Sequence, residues 1–341
     1  MSNNDLQFEK NRSRCYIRKR ITERNLHHET FSSLGTIAAG LLLIAAAGCS
    51  QTAKVQTSSA AARTKVPAPV LAGYRVVKDL PYYPEGFRPL SGDAEYAAER
   101  CKLDIYIPQK KITEPLPVLL FFHGGGLSRG SKGVPRGQRG LPAEFIIVTA
   151  NYRLSGPRAK CPDYLNDAAA AAAWTVRNIA KYGGDPDKVF VTGASAGGYL
   201  SAMIALDRRW MKPYGLDPRK CFAGVLPISG QMSTHFQVMI ERGQAGQPLV
   251  DEYAPIYHAA ADTPPIVLFC GQPDIEFKAR VAENLFFHAV LTQLKKNPDA
   301  KIHQINGFNH SSVGVPAGYL TRQEMKRILR QRKAAQKAAR L

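Results

Sequence analysis

The sequence predicts an α/β domain built on a mostly parallel sheet of eight strands, with helices on both faces. Two observations support this prediction. Short apolar runs, typical of strands that are buried on both faces, recur along residues 71–341. In the second half of the chain these runs alternate with helical segments, as in repeated βα units. The predicted strands are residues 74–77, 103–107, 117–122, 145–150, 189–192, 224–228, 265–270 and 301–305.

A glycine-rich loop follows the predicted strand at residues 117–122. The strand sequence, PVLLFF, is continuously apolar, and it runs directly into His123-Gly124-Gly125-Gly126. Three consecutive glycines allow backbone amides to approach a ligand closely. The amides of Gly125 and Gly126 are therefore candidates for an oxyanion hole.

A long helix is predicted over residues 164–181. It contains Asp167 followed by six alanines, which form a face that can pack very closely on a sheet. Gly183 and Gly184 follow directly, and glycine commonly ends a helix because it adopts left-handed backbone angles without strain.

The most informative motif is GASAG at residues 193–197, between the predicted strand at 189–192 and a helical stretch. G-x-S-x-G in this setting is typical of a nucleophile elbow. A serine hydroxyl is a poor nucleophile unless it stands clear of its backbone, beside a base and N–H donors. The two glycines permit the sharp turn, and the amide of Ala196 points into the site. We therefore predict Ser195 as a nucleophile.

With these two motifs in this order, the chain resembles the α/β-hydrolase superfamily. It is most similar to HGGG-bearing esterases related to hormone-sensitive lipase and to bacterial feruloyl and acetyl esterase-like proteins. The resemblance covers residues 74–320 and implies the α/β-hydrolase fold. It also implies a catalytic triad in the chain order serine, acid, histidine, each on a loop after a strand. In such proteins His123 and Gly124 would support the glycine loop.

The acid of the triad is expected after the predicted strand at residues 265–270. In the family that the chain resembles, the acid lies about three residues after the glycine that follows this strand. That spacing selects Asp274. Glu276 is the alternative, because it can equally accept a histidine N–H. Either carboxylate can instead favour the N-terminus of the following helix.

The base is expected after the last predicted strand, residues 301–305. His310 lies in a loop that resembles the family's G-x-x-H motif. It can take the proton of Ser195 and return it to the leaving group, while Asp274 holds the imidazole tautomer. His235 either lines a substrate pocket or is bonded to the backbone of its own loop. Structural roles are expected for His258, His288 and His303.

Residues 1–48 are predicted to be an export signal. Basic residues precede an apolar stretch at 34–48, which is too short for a typical membrane span. The sequence AAGCS at its end resembles a bacterial lipoprotein box, which implies cleavage before Cys49 and acylation of that thiol. An ordinary secretory signal cleaved near Ala47 is the alternative. Residues 49–70, rich in Ser, Thr, Ala and Pro, are predicted to be a flexible tether.

This interpretation implies export to a bacterial cell envelope and membrane attachment through lipid on Cys49. Ser50, in place of an aspartate, is by analogy the pattern of proteins sorted to the outer membrane, facing the periplasm or the surface. Residues 71–341 are enough for one catalytic domain with a large core, ending in a basic helix.

Four cysteines lie within the predicted catalytic domain. Disulfides can form in an oxidising compartment, and four cysteines allow three connectivities. A pairing of Cys101 with Cys161 is the one we expect, whereas Cys270 ends a core strand and is expected to be buried and free. Together with Cys221, these residues show no metal-site spacing, so neither a metal nor another cofactor is predicted.

The chain carries 46 Lys and Arg against 27 Asp and Glu, a net charge of +19. The excess is concentrated in the tail at residues 322–341 and in the loop after the HGGG motif. No nucleic-acid motif accompanies either cluster, so no nucleic-acid partner is predicted. The loop cluster either favours an anionic substrate or is simply a solvated surface. It consists of Arg129, Lys132, Arg136 and Arg139.

The basic tail is predicted to be a helix that docks through its first turns. Met325, Ile328 and Leu329 share one side there, and beyond them only alanine is available for burial. Contact with anionic lipid or polysaccharide is one hypothesis for this helix, and a solvated basic surface is the other.

Taken together, these features predict a serine hydrolase that cleaves carboxylic esters through an acyl-enzyme. Its substrate would be a small molecule or an ester borne on a polysaccharide. An amidase such as a formamidase is the nearest alternative, because the same groups serve both reactions. A catalytically dead, surface-tethered binding protein is the alternative from another class, since fold alone never secures function.

Overall fold

The structure, a computed structural model, describes residues 71–84, 88–277 and 279–339. Eight strands within these residues form one sheet. In chain order they are β1 (Tyr74–Pro81), β2 (Lys102–Pro108), β3 (Leu116–Phe122), β4 (Ile146–Ala150), β5 (Gly184–Ala194), β6 (Gly224–Ile228), β7 (Ile266–Cys270) and β8 (Ala300–Gln304).

The strand order across the sheet is β1-β2-β4-β3-β5-β6-β7-β8. β2 is antiparallel to both of its neighbours, β1 and β4, and all other neighbouring pairs are parallel. The predicted fold class is thereby confirmed. The carboxyl ends of β3 and of β5 to β8 therefore meet at one edge of the sheet, where ligands bind in open α/β sheets.

Seven α-helices connect the strands of the described chain. They are α1 (Ala94–Arg100), α2 (Asp163–Asn178), α3 (Ala196–Leu206), α4 (Pro218–Cys221), α5 (Phe236–Glu241), α6 (Arg280–Ala289) and α7 (Gly314–Ala338). Short 3-10 turns occur at Arg136–Gln138, Ile179–Tyr182, Lys212–Tyr214 and Pro255–His258, and a π-helical turn at Val290–Leu294.

The core lies on both faces of the sheet, because side chains of a strand alternate between them. In β3, Val118 and Leu120 pack in a buried cluster with residues of α2 and α3. Leu119 faces the other way and packs in the cluster that includes α7. The uninterrupted apolar sequence of β3 follows from this burial on both sides.

Some elements differ from their predicted bounds. β5 begins five residues before the predicted start at residue 189. The helix predicted over residues 164–181 is α2 followed by a 3-10 turn, and Gly183, with φ 85°, ends it as expected. The six alanines of α2 are all buried, in agreement with close packing on the sheet.

α7 docks through its first turns as predicted. Met325 and Ile328 are buried, Leu329 is partly buried beside them, and residues 333–339 are exposed. Nowhere in the described part of the chain is a helix both long and apolar enough to span a membrane. The predicted export signal, the lipidated Cys49 and the tether lie outside the described residues and stay predictions.

The expected Cys101–Cys161 disulfide is absent, and both residues have free thiols. The two cysteines lie in separate environments: Cys101 contacts Tyr82, whereas Cys161 contacts Tyr164. Cys270 is buried and free, as predicted, and burial raises the pKa of its thiol to about 12.

A buried ion pair joins the chain after β4 to α2. The Arg153 side chain is fully buried, and its Nε and one terminal nitrogen donate to the two carboxylate oxygens of Asp167 at 2.8 Å each. The Arg153 amide also donates to Asp167, at 2.9 Å. Asp167 is therefore predominantly a structural residue of α2.

Replacement of Asp167 by asparagine should lower the free energy of unfolding by about 3 kcal/mol, because the buried guanidinium loses its closest counter-charge and keeps only Asp163 at 3.9 Å. Urea denaturation measures this loss. Arg158→Gln is the matched control, since Arg158 binds Asp93 and Glu99 at the exposed surface and should contribute little. Equal losses in the two variants would contradict the prediction.

Candidate active site

Ser195 lies in a sharp turn between β5 and α3. Its backbone has φ 55° and ψ −116°, which is strained for a residue with a side chain. The Ser195 amide donates to the carbonyl of Ile228 at 2.8 Å. A Cβ atom on Gly197 would lie 2.0 Å from the carbonyl oxygen of Phe122, so only glycine allows α3 to begin this close to β3. The elbow geometry predicted from GASAG is present.

His310 joins Ser195 to a buried carboxylate. Its Nε2 lies 2.9 Å from the Oγ of Ser195, and its Nδ1 lies 2.5 Å from the Oε1 of Glu276. The imidazole also stacks on the ring of Phe277, with 3.9 Å between ring centroids. The hydroxyl, imidazole and carboxylate thus form one continuous hydrogen-bonded chain.

Glu276 is held as a carboxylate by several donors. Its side chain is fully buried, and its Oε2 accepts from the Ser229 hydroxyl at 2.9 Å and from the Gly271 amide at 3.3 Å. Burial by itself would raise the pKa of Glu276, but hydrogen bonds from His310, the Phe277 amide and Ser229 hold the pKa below its ordinary value. The group that faces His310 is therefore ionised at neutral pH.

Asp274, the acid predicted from family spacing, is not the partner of His310. The backbone turns back after β7, because the amides of Ile275 and Glu276 both donate to the carbonyl of Gln272. This turn points Glu276 into the site and leaves Asp274 exposed. The prediction of Asp274 is thus corrected in favour of the alternative, Glu276.

The glycine loop lies directly against the elbow. A Cβ atom on Gly124 would be 3.4 Å from the Cβ of Ser195. Gly125 has φ 111°, and its carbonyl accepts from the Arg129 amide at 3.1 Å. A Cβ on Gly125 would lie 2.1 Å from the Arg129 carbonyl oxygen, so the turn requires glycine.

Three amides in the glycine loop and at the start of α3 have no acceptor within the described residues. They belong to Gly125, Gly126 and Ala196. Ala196 is the first residue of α3, where a helix has no intrahelical acceptor for its N–H groups. The start of α3 and the glycine loop thus offer donors beside the serine.

His123 supports the glycine loop through a hydrogen bond to its backbone. Its ring is buried, stacks on Tyr152, and places Nδ1 2.8 Å from the Gly124 carbonyl. Nε2 faces the Arg100 guanidinium at 3.5 Å, so the proton of the neutral ring lies on Nδ1. Burial, together with the Arg100 charge, lowers the pKa of His123 to about 4.

Three other histidines make contacts away from Ser195, His310 and Glu276. His235 is buried and accepts from the Gln237 amide at 3.1 Å, where it caps α5, so the pocket-lining interpretation is wrong and the backbone-bonded one is confirmed. His303 contacts Glu324 at 3.0 Å, and His258 contacts the Glu252 carbonyl at 2.9 Å.

Sequence reasoning missed three residues of this site: Ser229, Phe277 and Arg100. A signal existed for Ser229, which directly follows β6. The register pairs Ala194 with Ile228, so Ser195 and Ser229 emerge side by side from neighbouring strands. Phe277 and Arg100 carry no such signal, because their positions depend on loop conformation.

Ser195 and His310 open into a cavity of about 790 Å³. This volume suits a small-molecule ligand. Lys132, Arg136 and Arg139 of the predicted basic loop line the cavity, whereas Arg129 does not. In the described ranges no group of three or more His, Cys, Asp or Glu could hold a metal ion.

Parts of the chain are similar in sequence to proteins that are named as esterases. A family model described as BD-FAE matches residues 103–215. The probable carboxylic ester hydrolase LipM of Mycobacterium tuberculosis is 33% identical over 221 residues, which are 58% of this chain and 50% of that protein. The carboxylesterase NlhH of the same species is 39% identical over 98 residues, 28% of this chain and 30% of that protein.

A solved structure of an inhibited esterase B from Lactobacillus rhamnosis has a TM-score of 0.60 with this chain, at 18% identity. The match covers 80% of this chain and 92% of the other. The chain therefore has the α/β-hydrolase fold. Its matches span half or less of the length of the two curated relatives.

His123 should titrate with a pKa of about 4, well below an ordinary histidine. Between pH 6.5 and 4 the unfolded chain binds a proton that the folded protein does not. The folded state should therefore lose about 3 kcal/mol from this group as the pH falls through that window, and nothing above it. NMR titration of the histidine side chains measures the pKa, and a value near 6.5 for His123 would contradict the prediction.

Proposed function

We propose that this chain is a serine hydrolase that cleaves carboxylic esters through an acyl-enzyme intermediate. The observation that carries the proposal is the continuous contact from Ser195 through His310 to Glu276. Nucleophile and base lie within hydrogen-bond reach, and the base is oriented by a third group, which is the arrangement of an activated serine.

In the first half of the reaction, the Oγ of Ser195 attacks the ester carbonyl while His310 Nε2 takes the hydroxyl proton. The tetrahedral intermediate collapses, the bond to the alcohol oxygen breaks, and the proton on Nε2 passes to the leaving alcohol. In the second half, His310 takes a proton from water, the hydroxide attacks the acyl group, and Ser195 regains its proton as the acid leaves.

The developing oxyanion needs donors that are already in place. The amides of Gly125, Gly126 and Ala196 are suited to this need, because they have no acceptor among the described residues and belong to the glycine loop and to the residue after the serine. We propose these three as the oxyanion hole, with His123 and Gly124 as its support. His123 stays neutral beside them, so its ring can hold both the Gly124 carbonyl and Arg100.

The named relatives favour ester hydrolysis over the alternatives. LipM and NlhH carry the names of carboxylic ester hydrolases, although each match covers only part of either chain. An amidase would use the same groups, and comparison of acetyl ester with formamide turnover separates the two activities. A non-catalytic binding protein would be expected to have a broken triad, whereas Ser195, His310 and Glu276 are in contact.

Ser195→Ala should lower the hydrolysis of 4-nitrophenyl acetate by roughly 10⁴-fold or more, because the acyl-enzyme can no longer form. Release of nitrophenol measures the rate, and thermal unfolding checks that the variant is folded. A fluorophosphonate probe should label the native protein and not the variant. Undiminished turnover by a folded Ser195→Ala protein would refute the proposal.

Glu276→Gln should lower kcat by roughly 10³- to 10⁴-fold, because an amide cannot hold the imidazole in the required tautomer or stabilise its charged form. Asp274→Asn is the matched control: it removes an exposed carboxylate from the same loop and should change kcat less than about twofold. The reverse pattern would restore Asp274 as the acid of the triad.

A further inference from the structure

The charge of the cavity beside Ser195 is unbalanced. Four basic side chains line it, against two acidic ones. Both acidic residues bind the same lysine: Lys132 Nζ lies 2.8 Å from Asp79 and 2.6 Å from Asp104. Both carboxylates of the cavity are therefore paired with Lys132 and do not neutralise the other basic side chains there.

Within the part of the chain that the structure describes, Arg136 and Arg139 have no acidic partner. Both are exposed, both line the cavity, and neither has an Asp or Glu oxygen within 4 Å among the described residues. Exposed arginines elsewhere differ in this respect: Arg158 pairs with Asp93 and Glu99, whereas Arg75 and Arg330 have no ion pair among the described residues. Two unpaired guanidinium groups that line one cavity are suited to bind an anion, because their N–H donors match carboxylate and phosphate oxygens.

The loop that carries these arginines is fixed at both ends. At its start, the Lys132 amide donates to Asn151 at 2.6 Å. At its end, Gln138 donates to the Gly318 carbonyl of α7 at 3.0 Å and accepts from Arg322 at 2.7 Å. Because the backbone is already held, binding of an anion costs little additional ordering of the loop.

Two aromatic rings close to the site add apolar surface rather than charge. Phe277, stacked on His310, is 56% exposed, and Phe236, beside Gly126, is 40% exposed. These rings offer apolar surface and no charge. Neither ring can pair with a negatively charged group of a substrate, whereas the side chains of Arg136 and Arg139 can.

We propose that Arg136 and Arg139 select esters that carry an anionic group, such as a carboxylate, phosphate or sulfate, on the part of the substrate that occupies the cavity. This assignment rests on the proposed ester hydrolysis and specifies its substrate class. The basic loop would then take part in substrate recognition. The basic residues of the tail do not line the cavity and have no such role in this proposal.

Two matched substrate pairs test the assignment. 4-nitrophenyl hydrogen glutarate against 4-nitrophenyl pentanoate places the charge on the acyl side. 4-acetoxybenzoate against its methyl ester places the charge on the alcohol side. The native enzyme should prefer the anion by about tenfold in kcat/KM in one of the pairs, which identifies the side, and added salt should reduce the preference.

The double variant Arg136→Gln, Arg139→Gln should lose the preference and retain turnover of the neutral esters. Arg330→Gln with Lys333→Gln is the matched control, because it removes the same charge from the exposed part of α7 and should retain the preference. Loss of the preference in both double variants would show that it depends on the net charge of the protein rather than on these two arginines, and would overturn the assignment.

Absence of any anion preference in the native enzyme, with neutral esters still cleaved, would overturn the assignment and leave ester hydrolysis standing. Failure of the native enzyme to cleave any of the four esters would overturn both proposals. The salt dependence of the native enzyme provides a test that does not depend on the folding of any variant.

Discussion

The strained backbone at Ser195 is the constraint on which the rest of the site depends. Positive φ at a residue with a side chain costs on the order of 1 to 3 kcal/mol, and it persists only when the surroundings fix it. Two contacts do so: the Ser195 amide bonds to Ile228 of β6, and Gly197 lies against the Phe122 carbonyl of β3. The elbow is thus clamped between the two strands that flank β5, and the serine side chain stands clear of its own helix.

Parallel strand order then brings the remaining groups to the serine. β5, β6, β7 and β8 are consecutive both in the chain and across the sheet, and each is followed by one member of the site. Ser195 follows β5, Ser229 follows β6, Glu276 follows β7 and His310 follows β8. Residues separated by 115 positions, such as Ser195 and His310, therefore meet without a long connecting structure. The ends of parallel strands supply the proximity, and the loops supply the orientation.

The sequence was sufficient for those parts of the site that are local. The strand, glycines and helix around Ser195 occupy one continuous segment, so motif and geometry coincide. The choice between Asp274 and Glu276 was not local, because it depends on how the backbone turns after β7, which side-chain spacing does not encode. The Cys101–Cys161 pairing failed for a related reason: residue type and compartment allow a disulfide, whereas only tertiary packing decides which thiols meet. Capping of α5 by His235 likewise depends on where that helix begins.

Ionisation of Glu276 follows from the fold rather than from the residue itself. A buried carboxyl tends to take up a proton, and a protonated Glu276 would have one fewer acceptor for the Nδ1–H of His310. Donors from three separate segments oppose this tendency: His310 after β8, Ser229 after β6, and the backbone amides of Gly271 and Phe277 around Glu276. Together they outweigh the burial and keep the pKa low. With the carboxylate charged, the proton of the neutral His310 ring is held on Nδ1, and in the proposed reaction Nε2 accepts the proton of Ser195. In the proposed reaction, the strand order of the sheet thus sets the tautomer of His310, on which the reactivity of Ser195 depends.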